Sequence, residues 1–186
     1  MFTSQSGNSA QGDIVGGNQH KTVYNVSGPP SPLSQLYEKF RKSVEGQPVA
    51  AQISEQLLHY CSVDTDGDVR GLDAKLLDAG RPDLRRHAAL MKESATKLIM
   101  KWQTSGVAQD ILTVILSELY ATFILEVTPA IQAGKSREEI DALISEKVIK
   151  SASSMLGEND LMLTSRDLLG LLFFLGGNCH VRWDKC

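Results

Sequence analysis

Apolar side chains recur at intervals of three and four residues through most of this chain, and this spacing places them on one face of an α-helix. One long segment shows the pattern clearly, with apolar residues at Leu84, Ala88, Met91, Ala95, Leu98 and Trp102. Glycine and proline residues divide the pattern into helical segments. The predicted helices cover residues 33–46, 48–60, 71–79, 82–102, 107–128, 136–157 and 165–177. The sequence therefore predicts an all-α protein, a single helical bundle domain of about seven helices.

Two short segments near the ends of the chain alternate between apolar and polar residues, and we expect each to form a short β-strand. They are residues 21–26 and residues 179–183, the second after a Gly-Gly-Asn break. Residues 1–30 are rich in glycine and asparagine and hold few large apolar side chains, so we predict a flexible arm there. Residues 31–186 form the predicted helical domain.

The C-terminal run is unusually apolar for a chain end. Residues 167–184 combine a predicted helix, Leu-Leu-Gly-Leu-Leu-Phe-Phe-Leu in its middle, with the second predicted strand. Chain ends usually fray unless they are held in place. We therefore expect this terminus to be buried against another part of the protein.

The most apolar stretch, residues 111–127, raises the question of a membrane. It falls short of the roughly 20 apolar residues that cross a bilayer, and it contains Glu118 and Glu126. A helix lying on a membrane surface is the alternative, but its polar face has no Lys or Arg for anionic lipid. We predict a buried helix, and we expect Pro129 to kink or end it because the ring clashes with the preceding turn.

Composition limits the function classes. The chain has 186 residues and a formal net charge of -3, which argues against a strong electrostatic footprint for nucleic acid. Three cysteines at wide spacing form no disulfide framework and no metal-ligand pattern. The N-terminus lacks the basic and apolar regions of a secretory signal, so we expect a cytoplasmic protein.

Residues 62–73 place acidic side chains at several positions of a calcium-binding loop, with glycine at the sixth. Ser62 at the first position and Asp73 at the last are poor end ligands, and Arg70 at the ninth repels a cation. We therefore favour a solvated acidic turn over a calcium site.

The predicted helix over residues 82–102, with the residue before it, carries the basic side chains Arg81, Arg85, Arg86, Lys92, Lys97 and Lys101. A DNA-contacting face is one interpretation. Asp83 and Glu93 interrupt the positive charge, so an ordinary solvated helix surface is favoured.

Cys179 and His180 are adjacent in the sequence, and both are residue types that enzymes use in catalysis. Neighbours on a strand point to opposite faces, so the two cannot form a dyad with each other. An enzyme using either residue stays an alternative, but we favour a small buried side chain for Cys179 and predict no catalytic residue.

The arm offers a different alternative. Short β-prone segments of low charge can stack into cross-β assemblies, and residues 5–26 faintly resemble the amyloid signalling motifs of innate-immunity adaptors. Asp13 and the many glycines argue against a tight zipper, so an arm that becomes ordered on a partner is favoured.

Several segments, taken in order, carry a family resemblance. They are residues 71–76 (Gly-Leu-Asp-Ala-Lys-Leu), 87–93, 108–111 and the closing 175–183 (Leu-Gly-Gly-Asn-Cys-His-Val-Arg-Trp). Together they resemble the C-terminal domain of ABC three-component systems over nearly the whole chain. The leader, residues 12–17, is similar to the Gly-Asp segment often found just before that domain.

The resemblance implies a part in prokaryotic anti-phage defence, of which Lamassu-type systems are one kind. Such systems combine an ATPase of the SMC or Rad50 kind, a small middle component, and an effector, commonly a nuclease, joined to this helical domain. The domain is understood as the coupling piece. No effector domain precedes the leader here, so we expect either a stand-alone coupling subunit or a shortened effector.

We therefore expect a non-catalytic assembly subunit that docks an effector, or copies of itself as a homo-oligomer, onto an SMC/Rad50-like ATPase. Strand addition by the terminal segments is one docking mode. No cofactor, metal or membrane is expected, and no direct nucleic-acid contact is predicted. The predicted partner-contacting residues are Val23, Tyr24, Val26, Phe174, His180, Arg182 and Trp183.

Overall fold

A computed structural model of the chain describes residues 31–43, 52–63, 70–157 and 159–184. Within them the prediction of about seven helices is confirmed, and no strand is found. The helices are α1 (Pro32–Ser43), α2 (Glu55–Cys61), α3 (Leu72–Asp78), α4 (Arg85–Lys101), α5 (Gly106–Gln132), α6 (137–156) and α7 (Ser165–Gly177). The predicted strand at residues 21–26 and the boundary of the arm at residue 30 lie outside the described residues.

Helix α5 is the centre of the bundle. Its side chains at successive turns are completely buried, namely Ile111, Leu112, Ile115, Leu116 and Leu119. Helices α1 and α2 pack on its first half, and α6 and α7 also pack against it. A stripe of large aliphatic residues at spacings of three and four thus organises the core, as the sequence pattern predicts.

Helix α5 does not end near Thr128, so of the two effects expected from Pro129, a kink or an end, the end is not found. A π-helical turn, Phe123–Val127, precedes the proline, and the N–H of Thr128 donates to the carbonyl of Phe123. In a regular α-helix the proline ring would clash with the carbonyl four residues earlier. The wide turn relieves that clash, and α5 continues to Gln132.

A second π-helical turn, Ile144–Ile149, interrupts α6 between Arg137–Leu143 and Lys150–Leu156. The two wide turns pack against each other. At the start of α6, Ser136 and Glu139 form the predicted capping box, with the Glu139 carboxylate accepting from the Ser136 N–H at 2.9 Å.

Helices α4 and α7 form the most extensive helix pair of the bundle. Gly170 makes their close approach possible, because a Cβ atom there would lie 3.0 Å from the carbonyl oxygen of Met91. Ala88 and Ala95 of α4 are buried as well. Small side chains therefore let the two backbones pack closely.

By length and composition alone, α5 would pass as a membrane-crossing helix, with a mean hydropathy of 1.7 in its most apolar window. The core helix of a soluble protein passes the same criterion. Its fully buried stripe faces the other helices of the bundle.

Gln109 fastens the chain before α2 to the start of α5. Its buried side chain accepts the Ser54 N–H at 2.6 Å and donates to the carbonyl oxygens of Gln52 and Gln103 at 3.3 and 2.6 Å. One amide therefore satisfies backbone groups of two separate loops.

We predict that Gln109→Ala lowers the free energy of unfolding by about 1–3 kcal/mol, since three backbone groups lose their buried partner. Urea denaturation followed by circular dichroism measures the change. Gln103→Ala is the matched control, because Gln103 is exposed and contributes only its backbone carbonyl to this contact. An equal decrease in the free energy of unfolding for both variants would contradict the prediction that the Gln109 amide stabilises the fold through these hydrogen bonds.

Candidate functional site

The C-terminal clasp, residues 178–184, closes over the end of α2. The Asn178 side chain donates to the carbonyl oxygens of Tyr60 and Cys61 at 2.9 and 3.4 Å. His180 Nε2 lies 3.2 Å from the Tyr60 oxygen and 3.1 Å from the Ser62 oxygen. Because both partners are carbonyls, Nε2 carries the proton and donates. The clasp therefore caps carbonyls that the end of a helix leaves without intrahelical donors.

The clasp begins in a turn and not in the strand predicted for residues 179–183. The N–H of His180 donates to the Leu175 carbonyl at 2.9 Å, and that of Cys179 to the Gly176 carbonyl at 3.3 Å. This pair of bonds is the Schellman motif, which needs a left-handed residue after the helix. Cys179 is that residue, with φ of 68°, and the chain beyond it runs through bends.

Two other helices end in the same motif, with glycine where α7 has cysteine. The N–H groups of Gly80 and Arg81 close the end of α3, and Gly80 has φ of 68°. Gly134, with φ of 73°, has the corresponding place after α5. Cysteine has a Cβ atom, so Cys179 is held in a conformation that its side chain disfavours.

His180 is buried among aromatic rings. Its ring centroid lies 5.2 Å from that of His59, 5.5 Å from Tyr60 and 6.4 Å from Tyr120. Its Nε2 donates to backbone oxygens, so this nitrogen is not an acceptor for a proton from Cys179. Both residues have local structural roles in the clasp.

Trp183 packs the clasp against the bundle. Its ring centroid lies 5.4 Å from Phe123 and 5.5 Å from Phe173. A Cβ atom on Gly176 would lie 2.4 Å from the indole ring, so only glycine leaves room for it. The predicted burial of the C-terminus is thus seen in detail: the terminus closes on its own domain.

Asp184 is held by two arginines at the end of the clasp. Its carboxylate, 3% exposed, accepts from Arg182 at 2.9 Å and from Arg70 at 2.7 Å. Burial by itself would raise the pKa of Asp184, but hydrogen bonds from Arg182, the backbone and Arg70 outweigh it and lower the pKa. Arg70 also pairs with the exposed Asp78.

The predicted partner-contacting residues divide into three groups. Phe174, His180 and Trp183 are buried in this chain's own interior, and Arg182 is half-buried against Asp184. Val23, Tyr24 and Val26 lie outside the described residues. Partner contact through any of them stays a prediction.

The sequence analysis did not predict the burial of two cationic side chains. Lys75 of α3 is fully buried, and its ammonium donates to the Gly176 carbonyl at 3.3 Å, at the negative end of the α7 dipole. Arg81, 2% exposed, pairs with Asp141 of α6. Both partners are distant in the chain, so no local spacing signals either contact.

The sequence left two alternatives open for charged segments, a calcium-binding loop and a DNA-contacting helix face. Residues 64–69 of the proposed calcium loop lie outside the described residues, and within those described no three His, Cys, Asp or Glu side chains form a metal cluster. Basic residues of the α4 region are partly paired, with Arg85 on Asp73 and Lys97 on Glu93. This pairing fits the solvated helix surface.

An apolar groove of about 600 Å³ opens between α4, α6 and α7. Its floor contains Leu172, Phe173 and Trp183, all buried. The apolar walls and the few polar groups at its edge are typical of a binding cavity. We call it the α4–α6–α7 groove; its remaining lining residues are Arg81, Leu84, His87, Met91, Asp141, Ile144, Ser145, Ile149, Ser165, Arg166 and Leu169.

The fold and the clasp define a helical domain whose buried polar groups serve its own closure. Residues 71–183, from the start of α3 to Trp183 of the clasp, match the family model of C-terminal domain 9 of the ABC-three component systems. The chain belongs to this family, and the resemblance inferred from the sequence is confirmed. Comparison with curated proteins and with solved structures gave no match.

We predict that Cys179→Gly is more stable than Cys179→Ala by roughly 1 kcal/mol, because glycine adopts a left-handed φ without steric penalty. Both variants lose the thiol equally, so their difference reports the folded-state strain at residue 179 after the unfolded-state entropy, which favours alanine, has been offset. Thermal and urea denaturation of the two proteins measure it. Equal stability of the variants would contradict strain at residue 179.

We predict that Asp184→Asn destabilises the protein at neutral pH by about 1.5–3 kcal/mol, since hydrogen bonds to a buried carboxylate are lost. The pKa of Asp184 is lowered by folding, so its contribution is complete above the unfolded value of about 3.9 and is lost as the pH falls through the folded value. The difference in unfolding free energy between Asp184→Asn and wild type should therefore become smaller below about pH 4.

Asp78→Asn is the matched control for Asp184→Asn. Asp78 pairs with the same Arg70, but its side chain is 48% exposed. An exposed ion pair contributes less than about 1 kcal/mol. Urea denaturation at several pH values compares the unfolding free energies of the two variants. Equal decreases at neutral pH would contradict the prediction that the buried Asp184 contributes more than the exposed Asp78.

Proposed function

We propose that this chain is a non-catalytic assembly and coupling subunit of a cytoplasmic anti-phage defence complex of the Lamassu-like kind. In this proposal it docks an effector, of the nuclease type, or further copies of itself onto an SMC/Rad50-like ATPase. The single observation that carries the proposal is the match of residues 71–183 to a domain of ABC-three component systems. Membership of such a system implies assembly with partner proteins.

The use of the polar side chains supports a structural role. His180 and Asn178 donate to carbonyls at the end of α2, and Asp184 is saturated by two arginines. These groups fix the clasp on the bundle. A rigid domain of this kind can transmit a position between two partners, because its parts move together.

The clasp also joins elements that lie far apart in the sequence. Residue 178 binds residue 60, and residue 184 binds residue 70, which precedes α3. A pull on the C-terminal end of the described domain is therefore resisted by contacts with the chain near residues 60 and 70. This property suits a coupling piece that holds one partner against another.

The test is co-purification. We expect that the tagged full chain, co-expressed with the products of its neighbouring genes, elutes from size exclusion in one complex with an ATPase subunit. Light scattering gives the stoichiometry, and the rate of ATP hydrolysis with and without the chain measures coupling. Cys179→Ala is the control variant: it should leave the complex and any effector activity of that complex unchanged.

Two outcomes would contradict the proposal. Loss of an effector activity on Cys179→Ala, with the complex intact, would show that the chain is an enzyme. Elution of the chain without the ATPase, combined with fibre formation that deletion of residues 5–26 abolishes, would favour the signalling-adaptor alternative.

A further inference from the structure

The α4–α6–α7 groove has the dimensions and walls of a small-molecule site. Its volume of about 600 Å³ lies within the range of roughly 300–1,000 Å³ that is typical of ligand pockets. Leu84, Met91, Ile149 and Leu169 line it and are only partly buried, so apolar surface remains open to water inside the cavity. An apolar ligand would remove that surface from water.

The groove has the length of a medium-chain molecule. Lining residues of α7 run from Ser165 to Phe173, a rise of about 12 Å along the helix. Residues 84–91 of α4 and 141–149 of α6 form the two sides over a similar length. The cavity is therefore elongated, with α7 as its floor.

Arg81 provides the polar anchor. Its side chain is only 2% exposed, and it lines the groove. One guanidinium nitrogen binds Asp141, whereas Nε is buried with no hydrogen-bond partner among the described residues. A buried N–H without an acceptor is unfavourable, and a carboxylate is the acceptor whose geometry matches guanidinium.

The rim of the groove adds a further positive charge. Arg166 lies at its edge and is exposed. Asp141 is the carboxylate residue in the lining, and it already pairs with Arg81 and Arg137. The field at the entrance therefore favours an anion over a cation.

From these observations we propose that the groove binds a small amphiphilic carboxylate, with its apolar chain along the α7 floor and its carboxylate at Arg81. The bound chain covers Leu169 and Met91, and the carboxylate supplies an acceptor to the guanidinium. This site is independent of the assembly role, because it requires no partner protein.

Methionine methyl groups provide the readout. The full chain labelled with ¹³C at the methionine methyls is titrated with decanoate below its micelle concentration and followed by NMR. Met91 lines the groove, whereas Met100 and Met162 are 56% and 85% exposed elsewhere. Of the five methionine signals, we expect a saturable shift for Met91 and none for Met100 and Met162; proportional shifts of these three signals would overturn the proposal.

The head group is tested without mutation. Decanol and decyltrimethylammonium share the chain of decanoate but lack its negative charge. We expect each to bind at least about tenfold more weakly, since hydrogen bonds to a charged group contribute 1.4 kcal/mol or more. Equal affinity of decanol would overturn the role of Arg81 and the carboxylate assignment.

Paired variants locate the site. Leu169→Asp places a negative charge on the floor and should abolish the Met91 shift, whereas Leu90→Asp on the exposed side of α4 should leave it unchanged. Circular dichroism confirms that each variant is folded, and the head-group comparison stands if one is not. Binding of an acidic amphipathic peptide at Met91 without binding of decanoate would overturn the proposal and assign the groove to a partner helix.

Discussion

The carbonyl groups at the end of α2 need donors from outside their own helix, and the rest of the structure depends on how they obtain them. Asn178 and His180 supply the donors from a position about 120 residues later in the chain. An isolated helix of seven residues, such as α2, is not stable in water. The clasp therefore fixes α2 and its own segment in one step, and α2 and the C-terminal segment become mutually dependent.

Charge placement reinforces this dependence. Lys75 donates to the last turn of α7, and Asp184 binds Arg70 directly before α3. A buried ion is tolerated only when its hydrogen bonds are made, so each of these contacts excludes alternative positions of the clasp.

Sequence periodicity was sufficient for the helices and insufficient for the clasp. The apolar stripe of α5 and the Ser136–Glu139 capping box depend on residues a few positions apart, so a local pattern predicts them. The clasp was predicted as a strand because residues 179–183 alternate in character. Its turn is set instead by a left-handed Cys179 and by bonds to α2, and neither leaves a local signal.

The predictions for the candidate site have the same limit, because they also rest on local sequence patterns. The local pattern does not reveal that Trp183 fits the space that Gly176 leaves inside this domain, and its contact with a partner stays a prediction. Conversely, Arg81 was interpreted as part of a solvated basic surface, and its burial appears only when α6 brings Asp141 beside it. Long-range packing decides whether such residues face inward, and spacing along the chain carries no information about it.

Trp183 connects the clasp with the groove. It belongs to the clasp, contacts Phe123 and Phe173, and forms part of the groove floor. Any molecule in the groove therefore touches the element that also holds α2. The apolar surface that lines the groove thus belongs to the clasp as well as to the helices, and the packing of Trp183 on Phe123 and Phe173 shapes both at once.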